Sequence, residues 1–263
     1  MPVPLIGKRK YENNPEVVRP QVFHEHMRSL GKGADIDGAK CAVIYFDGSL
    51  HEHIMRCYSV QNTGFRSLSM VNINDRKIVL CKSPIGAPAA VVNLEELIAL
   101  GVCNFISVGT AGFLQKKILP ASIVLCIGAF RDEGTSWHYL PDTKARVCKG
   151  VIHASAPMLN RIRSKLKKCE LPFVTGLSWT TDAPYRENAK DIAFYRRKKA
   201  VTVEMEASAL IAVSRYRGVN LASAFVASDL LAETNWQPLF HHDDLQPNLW
   251  KLFQISLEVL SAS

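Results

Sequence analysis

Short, nearly uninterrupted apolar runs recur along this chain, separated by amphipathic stretches of helical length, and that alternation constrains the fold more than any other feature. CAVIYF (41–46), IVLC (78–81), NFISV (104–108), SIVLCIGAF (122–130), FVTGLSW (173–179), AVTVEME (200–206) and LASAFVAS (221–228) read as strands. Runs of this length suit strands covered on both faces. Between them, AAVVNLEELIAL (89–100), residues 154–167, residues 188–198 and SALIAVSRYR (208–217) space their apolar residues as helices do, and LWKLFQISLEVL (249–260) follows as a last helix. Pro88 suits a first helical turn, and Gly101 and Gly218 suit helix stops. The expectation is an α/β fold on a largely parallel, buried sheet. No Pro/Gly/Ser-rich linker and no internal repeat divides it, so residues 22–263 read as a single domain. Residues 1–21 read as a polar arm holding Pro15 and Pro20, and the polar character persists to about Lys40.

The 263 residues are 48% hydrophobic and 21% charged, proportions that can build one sizeable core. No stretch reaches the ~18 apolar residues of a membrane span, so no membrane association is expected. The leading MPVPLIGKRKYENN carries charges where a signal peptide needs an apolar run. Seven cysteines without a CxxC pair indicate neither a zinc site nor a disulfide framework. A cytoplasmic location is the expectation. The net charge of +8 lies partly in short runs, Arg163, Lys165, Lys167 and Lys168, then Arg196 to Lys199. These read as solvated helix faces, with steering of anions such as phosphate as the functional alternative. They lack interleaved aromatics, so nucleic acid is not an expected partner.

In α/β sheets ligands collect at the carboxyl ends of strands, and there lie GTAG, RDEGTSWHY, EME and SD. VGTAG (108–112) reads as a strand entering a small-residue turn, whose glycines let backbone approach an anion while Thr110 donates. A plain tight turn would look the same. Glu204 and Glu206 stand where a strand meets a helix, fit either to accept from two ribose hydroxyls or to favour a helix N-terminus. Asp229 follows an apolar strand, as a helix N-cap or as a general acid raised by burial. His241 and His242 beside Asp243 and Asp244 read as a surface loop, because adjacent ligands rarely converge on one ion; no metal is expected.

Taken together, IGAP, ALGVCNFISVGTAGFLQ, RDEGTSWHYLP, VEMEASAL and VASD resemble, in order and spacing, the nucleoside phosphorylase superfamily of uridine phosphorylase and the hexameric purine nucleoside phosphorylases. Residues 101–141 and QVFH are most similar to uridine phosphorylase, while VASD is similar to purine-specific members. The resemblance runs from about Val22 to the end of the sequence. It implies a single α/β domain whose mixed, partly barrel-like sheet is flanked by helices. It implies reversible phosphorolysis of a nucleoside, uridine or a purine nucleoside, to free base and ribose 1-phosphate. No metal or organic cofactor is implied, since phosphate is the co-substrate. A homo-oligomer, dimer or hexamer, with sites shared between subunits is implied as well. Two alternatives remain on the same fold: an N-ribosyl hydrolase using water, and a non-catalytic nucleoside-binding protein.

The resemblance also implies roles. Glu206 is similar to the glutamate that grips the ribose hydroxyls, Met205 to the methionine against the sugar, and Thr110, behind Gly109, to the residue touching phosphate and ribose. His24 resembles a histidine, and Arg66 an arginine, lent by a neighbouring subunit to ribose and phosphate. Arg186 falls where uridine phosphorylases recognise uracil, and Asp229 where purine enzymes protonate the base. Two phosphate arginines of the family are replaced, by Leu50 and by Ser107. Arg131 is the first candidate to compensate.

Overall fold

The computed structural model describes residues 16–65, 68–140, 150–231 and 235–262. Among these, eleven strands join one mixed sheet: β1 (Cys41–Tyr45), β2 (Gln61–Asn62), β3 (Leu68–Ile73), β4 (Arg76–Lys82), β5 (Asn104–Phe113), β6 (Ile123–Asp132), β7 (Val151–His153), β8 (Phe173–Thr181), β9 (Ala200–Glu204), β10 (Asn220–Leu231) and β11 (Trp236–Pro238). The helices are α1 (Pro20–Ser29), α2 (Gly48–Cys57), α3 (Ala87–Ala99), α4 (Ser136–Tyr139), α5 (Ala156–Lys168), α6 (Ala189–Arg197), α7 (Ala207–Arg217) and α8 (Leu245–Ser261). None is long and apolar enough to cross a membrane.

β1 shows why the strands read as unbroken apolar runs. Ala42 and Ile44 pack with Leu94 of α3 and Leu210 of α7. Cys41, Val43 and Tyr45 pack on the other face with Leu50 of α2, Ile162 of α5 and Phe253 of α8. Successive strand side chains point to opposite faces, so a strand between two helical layers must be apolar throughout.

β4, β1, β5 and β10 run parallel in that order. β6 pairs antiparallel with β10 and parallel with β8, and β8 pairs parallel with β9. β9 then returns to β5 antiparallel, through Gly112↔Val203 and Phe113↔Thr202. Strands β5, β10, β6, β8 and β9 therefore close into a ring, but the last seam is two residue pairs long. The sheet is mixed and partly barrel-like, not a true barrel, and it is less parallel than the apolar runs alone indicated.

Several local expectations are corrected. VGTAG is no turn: β5 continues straight to Phe113. Gly112 is there for packing, since a Cβ on it would fall 2.5 Å from Leu231 Cδ1 and 3.0 Å from Asp229 Oδ2, whereas one on Gly109 would approach only Phe46, at 3.3 Å. Asp229 caps no helix, because β10 runs past it to Leu231 and pairs with β11. The expected arm overlaps α1, which begins at Pro20 and sets Phe23 and Met27 against the core. The β3–β4 hairpin escapes periodicity because its signal is the turn: Asn74 and Asp75, with φ of 50° and 61°, tolerate the left-handed backbone of a two-residue loop.

Candidate functional site

The carboxyl ends of β5, β9 and β10 open into a cleft of about 810 Å³, lined by Gly109, Thr110, Met205, Glu206 and Asp229 from the sequence candidates. Phe46 and Asp47, which link β1 to α2, and Gly48, which opens α2, form one wall, and Pro184, Tyr185 and Glu187, between β8 and α6, form another.

Glu204 and Glu206 divide the two readings given to them. Glu204 ends β9 and is buried. Its Oε1 accepts from Thr180 Oγ1 (2.6 Å) and Ser178 Oγ (3.0 Å), and its Oε2 from the amides of Glu206 (2.8 Å) and Ala207 (2.7 Å). It thus satisfies two amides at the start of α7, as a helix-terminus acid does. Glu206, which lines the cleft as Glu204 does, takes no part in that capping, and its Oε1 accepts from the Gly86 amide at 2.6 Å. Burial, and next the charge of Glu204, push its carboxyl up to about 8.

Asp229 stands opposite Gly112 in the β5–β10 register, just after an irregularity between Ala227 and Asp229. Such a bulge re-aims the side chain that follows it. Both carboxylate oxygens are engaged: Oδ1 accepts from Ser228 Oγ (2.6 Å) and Oδ2 from Trp236 Nε1 (2.8 Å). Glu187 lines the same cleft and is half-buried, and its carboxyl is pushed up to about 7 by burial and then by the charge of Asp229.

The remaining candidates are placed elsewhere. His24 was expected to serve a neighbouring subunit; its ring is buried, its Nε2 lies 3.1 Å from the Glu96 carbonyl, and it packs on Phe65. That inward position on α1 makes it a packing residue of its own chain. Arg131, expected at phosphate, is turned away from the cleft. It donates to Ser136 Oγ (2.8 Å) and the Leu140 carbonyl (2.7 Å) and stacks over Trp137, which organises the RDEGTSWHY segment. Arg186 is exposed in the 3-10 turn Pro184–Arg186 and does not line the cleft, although its neighbours do. Arg66 lies outside the described residues.

Where the family pattern has arginines, this chain has core. Leu50 is 2% exposed among α2 and α8 residues, and Asp47 caps α2 by accepting from the Leu50 amide at 2.6 Å. Ser107 is also 2% exposed and donates to Ser223 Oγ at 2.7 Å. Among the described residues no lysine, arginine or histidine lines the cleft. No group of three or more His, Cys, Asp or Glu among them is placed to hold a metal ion.

Sequence reasoning missed Glu187 and Trp236. Both sit in loops or short edge elements without periodicity. The only signal for either was an acid and an indole near the ends of strands already suspected.

A family model described as the phosphorylase superfamily matches residues 48–261. Guanosine phosphorylase of Halorubrum lacusprofundi is 24% identical over 192 residues, which cover 70% of this chain and 76% of that protein. Uridine phosphorylase of Haemophilus influenzae is 30% identical over 126 residues, 46% of this chain and 48% of that protein, so the match spans under half of it. The crystal structure of Toxoplasma gondii purine nucleoside phosphorylase in complex with immucillin-H superposes with a TM-score of 0.73 at 18% identity, covering 86% of this chain and 92% of that one. At that identity the likeness is one of fold.

Proposed function

The chain belongs to the phosphorylase superfamily, and on that premise we propose that it is a pentosyltransferase that cleaves the N-glycosidic bond of a nucleoside by phosphorolysis. The observation that carries the reading is the convergence of Thr110, Met205, Glu206 and Asp229 on one cleft. Glu206 grips the ribose hydroxyls and Met205 packs against the sugar. Thr110, with the Gly109 backbone, stands beside C1′, where phosphate attacks. The C1′–N bond breaks as a phosphate oxygen bonds to C1′, and the bond's electron pair leaves with the base. Charge builds on the ribose as the bond breaks, so contacts that strengthen there raise the rate and not merely affinity. Phosphate is the co-substrate and no other cofactor takes part. The base is uracil or a purine; Asp229 and the guanosine phosphorylase similarity favour a purine.

Hydrolysis is the second reading. It is favoured by the absence of any cationic side chain from the described lining of the cleft, since a phosphate dianion is normally held by charge-assisted bonds to arginine. The homo-oligomer remains part of the proposal on a narrower basis, because buried His24 is not available to a neighbour's site. Release of free base from a panel of nucleosides, by wild type and by Glu206→Ala, tests the reading. Base release that is abolished in the variant supports it, and turnover within twofold of wild type rejects the sugar site.

A further inference from the structure

Five carboxyl groups line the cleft, from Asp47, Glu187, Glu204, Glu206 and Asp229, with no basic side chain among the described residues. A departing base must still acquire a proton, or a strong hydrogen bond, as it takes the bonding electrons. Four of the five acids are engaged. Asp47 accepts the Leu50 amide, Glu204 has four donors, Glu206 accepts the Gly86 amide, and Asp229 accepts from Ser228 and Trp236. Glu187 alone has a carboxyl with no hydrogen-bond partner among the described residues. It follows the Pro184–Arg186 turn and precedes Asn188, whose side chain caps α6. That places the acid on a short bridge between two anchored elements, facing the cleft beside Tyr185 and Ile192.

We propose that Glu187 is the acid that delivers the proton to a departing purine, with Asp229 as the anion that keeps that proton in place. The inference rests on the nucleoside reading of the same cleft. In the step, the C1′–N bond breaks, its electron pair goes to the purine, and the Glu187 proton moves to a purine ring nitrogen. Glu187 is left as a carboxylate and regains a proton from solvent. Asp229, with both oxygens already accepting, is the fixed partner and not the donor.

The surroundings suit this division. Glu187 is half-buried, and the charged or titratable groups that line the same cleft are Asp229 from β10, whose charge acts on it, Glu204 and Glu206 at the β9–α7 junction, Asp47 at α2 and Tyr185 beside it in sequence. None is cationic, and Arg186, its sequence neighbour, is exposed and outside the lining. Burial and Asp229 hold its carboxyl at about 7, so near neutral pH it is a competent acid and its conjugate base is readily reprotonated. The enzyme is active when Glu187 is protonated, so turnover falls as pH rises through about 7.

The test compares guanosine with 7-methylguanosine, whose base already carries the positive charge that protonation would supply. Base release is measured at saturating phosphate across pH for wild type, Glu187→Gln and Asp229→Asn. Glu187→Gln is expected to cut guanosine turnover by about 100-fold and to remove the fall on the basic side. On 7-methylguanosine its loss shrinks to under about threefold. Asp229→Asn moves the basic fall of guanosine turnover to lower pH. Equal losses on both substrates in Glu187→Gln would show a merely structural residue and overturn the assignment, as would unchanged guanosine turnover or a wild type that releases uracil but no purine. A wild type that releases no base from any nucleoside overturns the nucleoside reading itself, a different failure from the other three.

Discussion

Asp229 and Gly112 face each other across the β5–β10 register, so closely that a Cβ on Gly112 would fall 3.0 Å from Asp229 Oδ2. The same atom would meet Leu231 Cδ1 at 2.5 Å and Val203 Cγ1 at 3.1 Å. The glycine is therefore the space into which the bulge at the end of β10 delivers the carboxylate.

Gly112→Ala is predicted to damage the site more than the fold. Overpacking of this kind costs about 1–3 kcal/mol of stability. A carboxylate displaced by even part of an ångström loses about 10- to 100-fold in turnover. Denaturant unfolding and steady-state rates of the same preparation measure both. Wild-type turnover in the alanine variant would show that the position of Asp229 is not critical.

Glu206→Gln is predicted to exchange function for stability. The folded carboxyl lies at about 8, above its ordinary value of 4.5. As pH rises, the unfolded chain releases this proton first, so the group's contribution to stability is present below about 4.5 and is lost as pH rises through about 8. The glutamine carries no proton to lose. Its melting temperature should exceed that of wild type above pH 8, by the equivalent of roughly 1–3 kcal/mol, and converge on it below pH 5. Base release should fall at least tenfold. Parallel melting curves for the two proteins across this range would show that Glu206 is not held protonated by its buried surroundings.

An arginine placed at position 107 is predicted to fail as a repair of the phosphate site. Ser107 lies between Ile44 and Ser223 in the middle of the sheet and is almost wholly buried. A guanidinium there would be an unpaired buried charge in an overpacked core, costing on the order of 3 kcal/mol or more. Ser107→Arg should be recovered as an unstable protein with no gain in phosphate affinity. Arg131→Ala should also lose stability, while its half-saturating phosphate concentration stays within twofold of wild type. Tighter phosphate binding in the first variant, or a large loss of it in the second, would contradict these placements.

The fold was legible because its main determinant is local. A strand buried between two helical layers must be apolar along its length, and Ile44 and Val43 of one run serve opposite layers. The ring closure was not legible from the runs, because it depends on two residue pairs between distant strands. At the site, the VEME segment was legible as a pair of acids but not as a division of labour. Which carboxylate meets the amides at the start of α7 is set by where β9 stops, and β9 stops at Glu204, while Glu206 reaches the Gly86 amide instead. Arg131 misled because a charged residue near a strand end looks the same whether its guanidinium meets a ligand or the chain's own Leu140 carbonyl. Glu187 was missed because its properties come from Asp229 and from burial in the cleft, neither of which is near it in sequence.

Phosphorolysis is most directly tested by base release from guanosine, inosine and uridine as phosphate is varied, with ribose 1-phosphate measured alongside. With no cationic side chain in the described lining of the cleft, phosphorolysis should depend on phosphate but saturate only in roughly the millimolar range. Loss of two charge-assisted contacts weakens binding by about two to four powers of ten. The predicted result is one ribose 1-phosphate formed per base released, with a rate that climbs with phosphate. Base release at the same rate with and without phosphate, yielding free ribose, would contradict phosphorolysis and establish hydrolysis in its place.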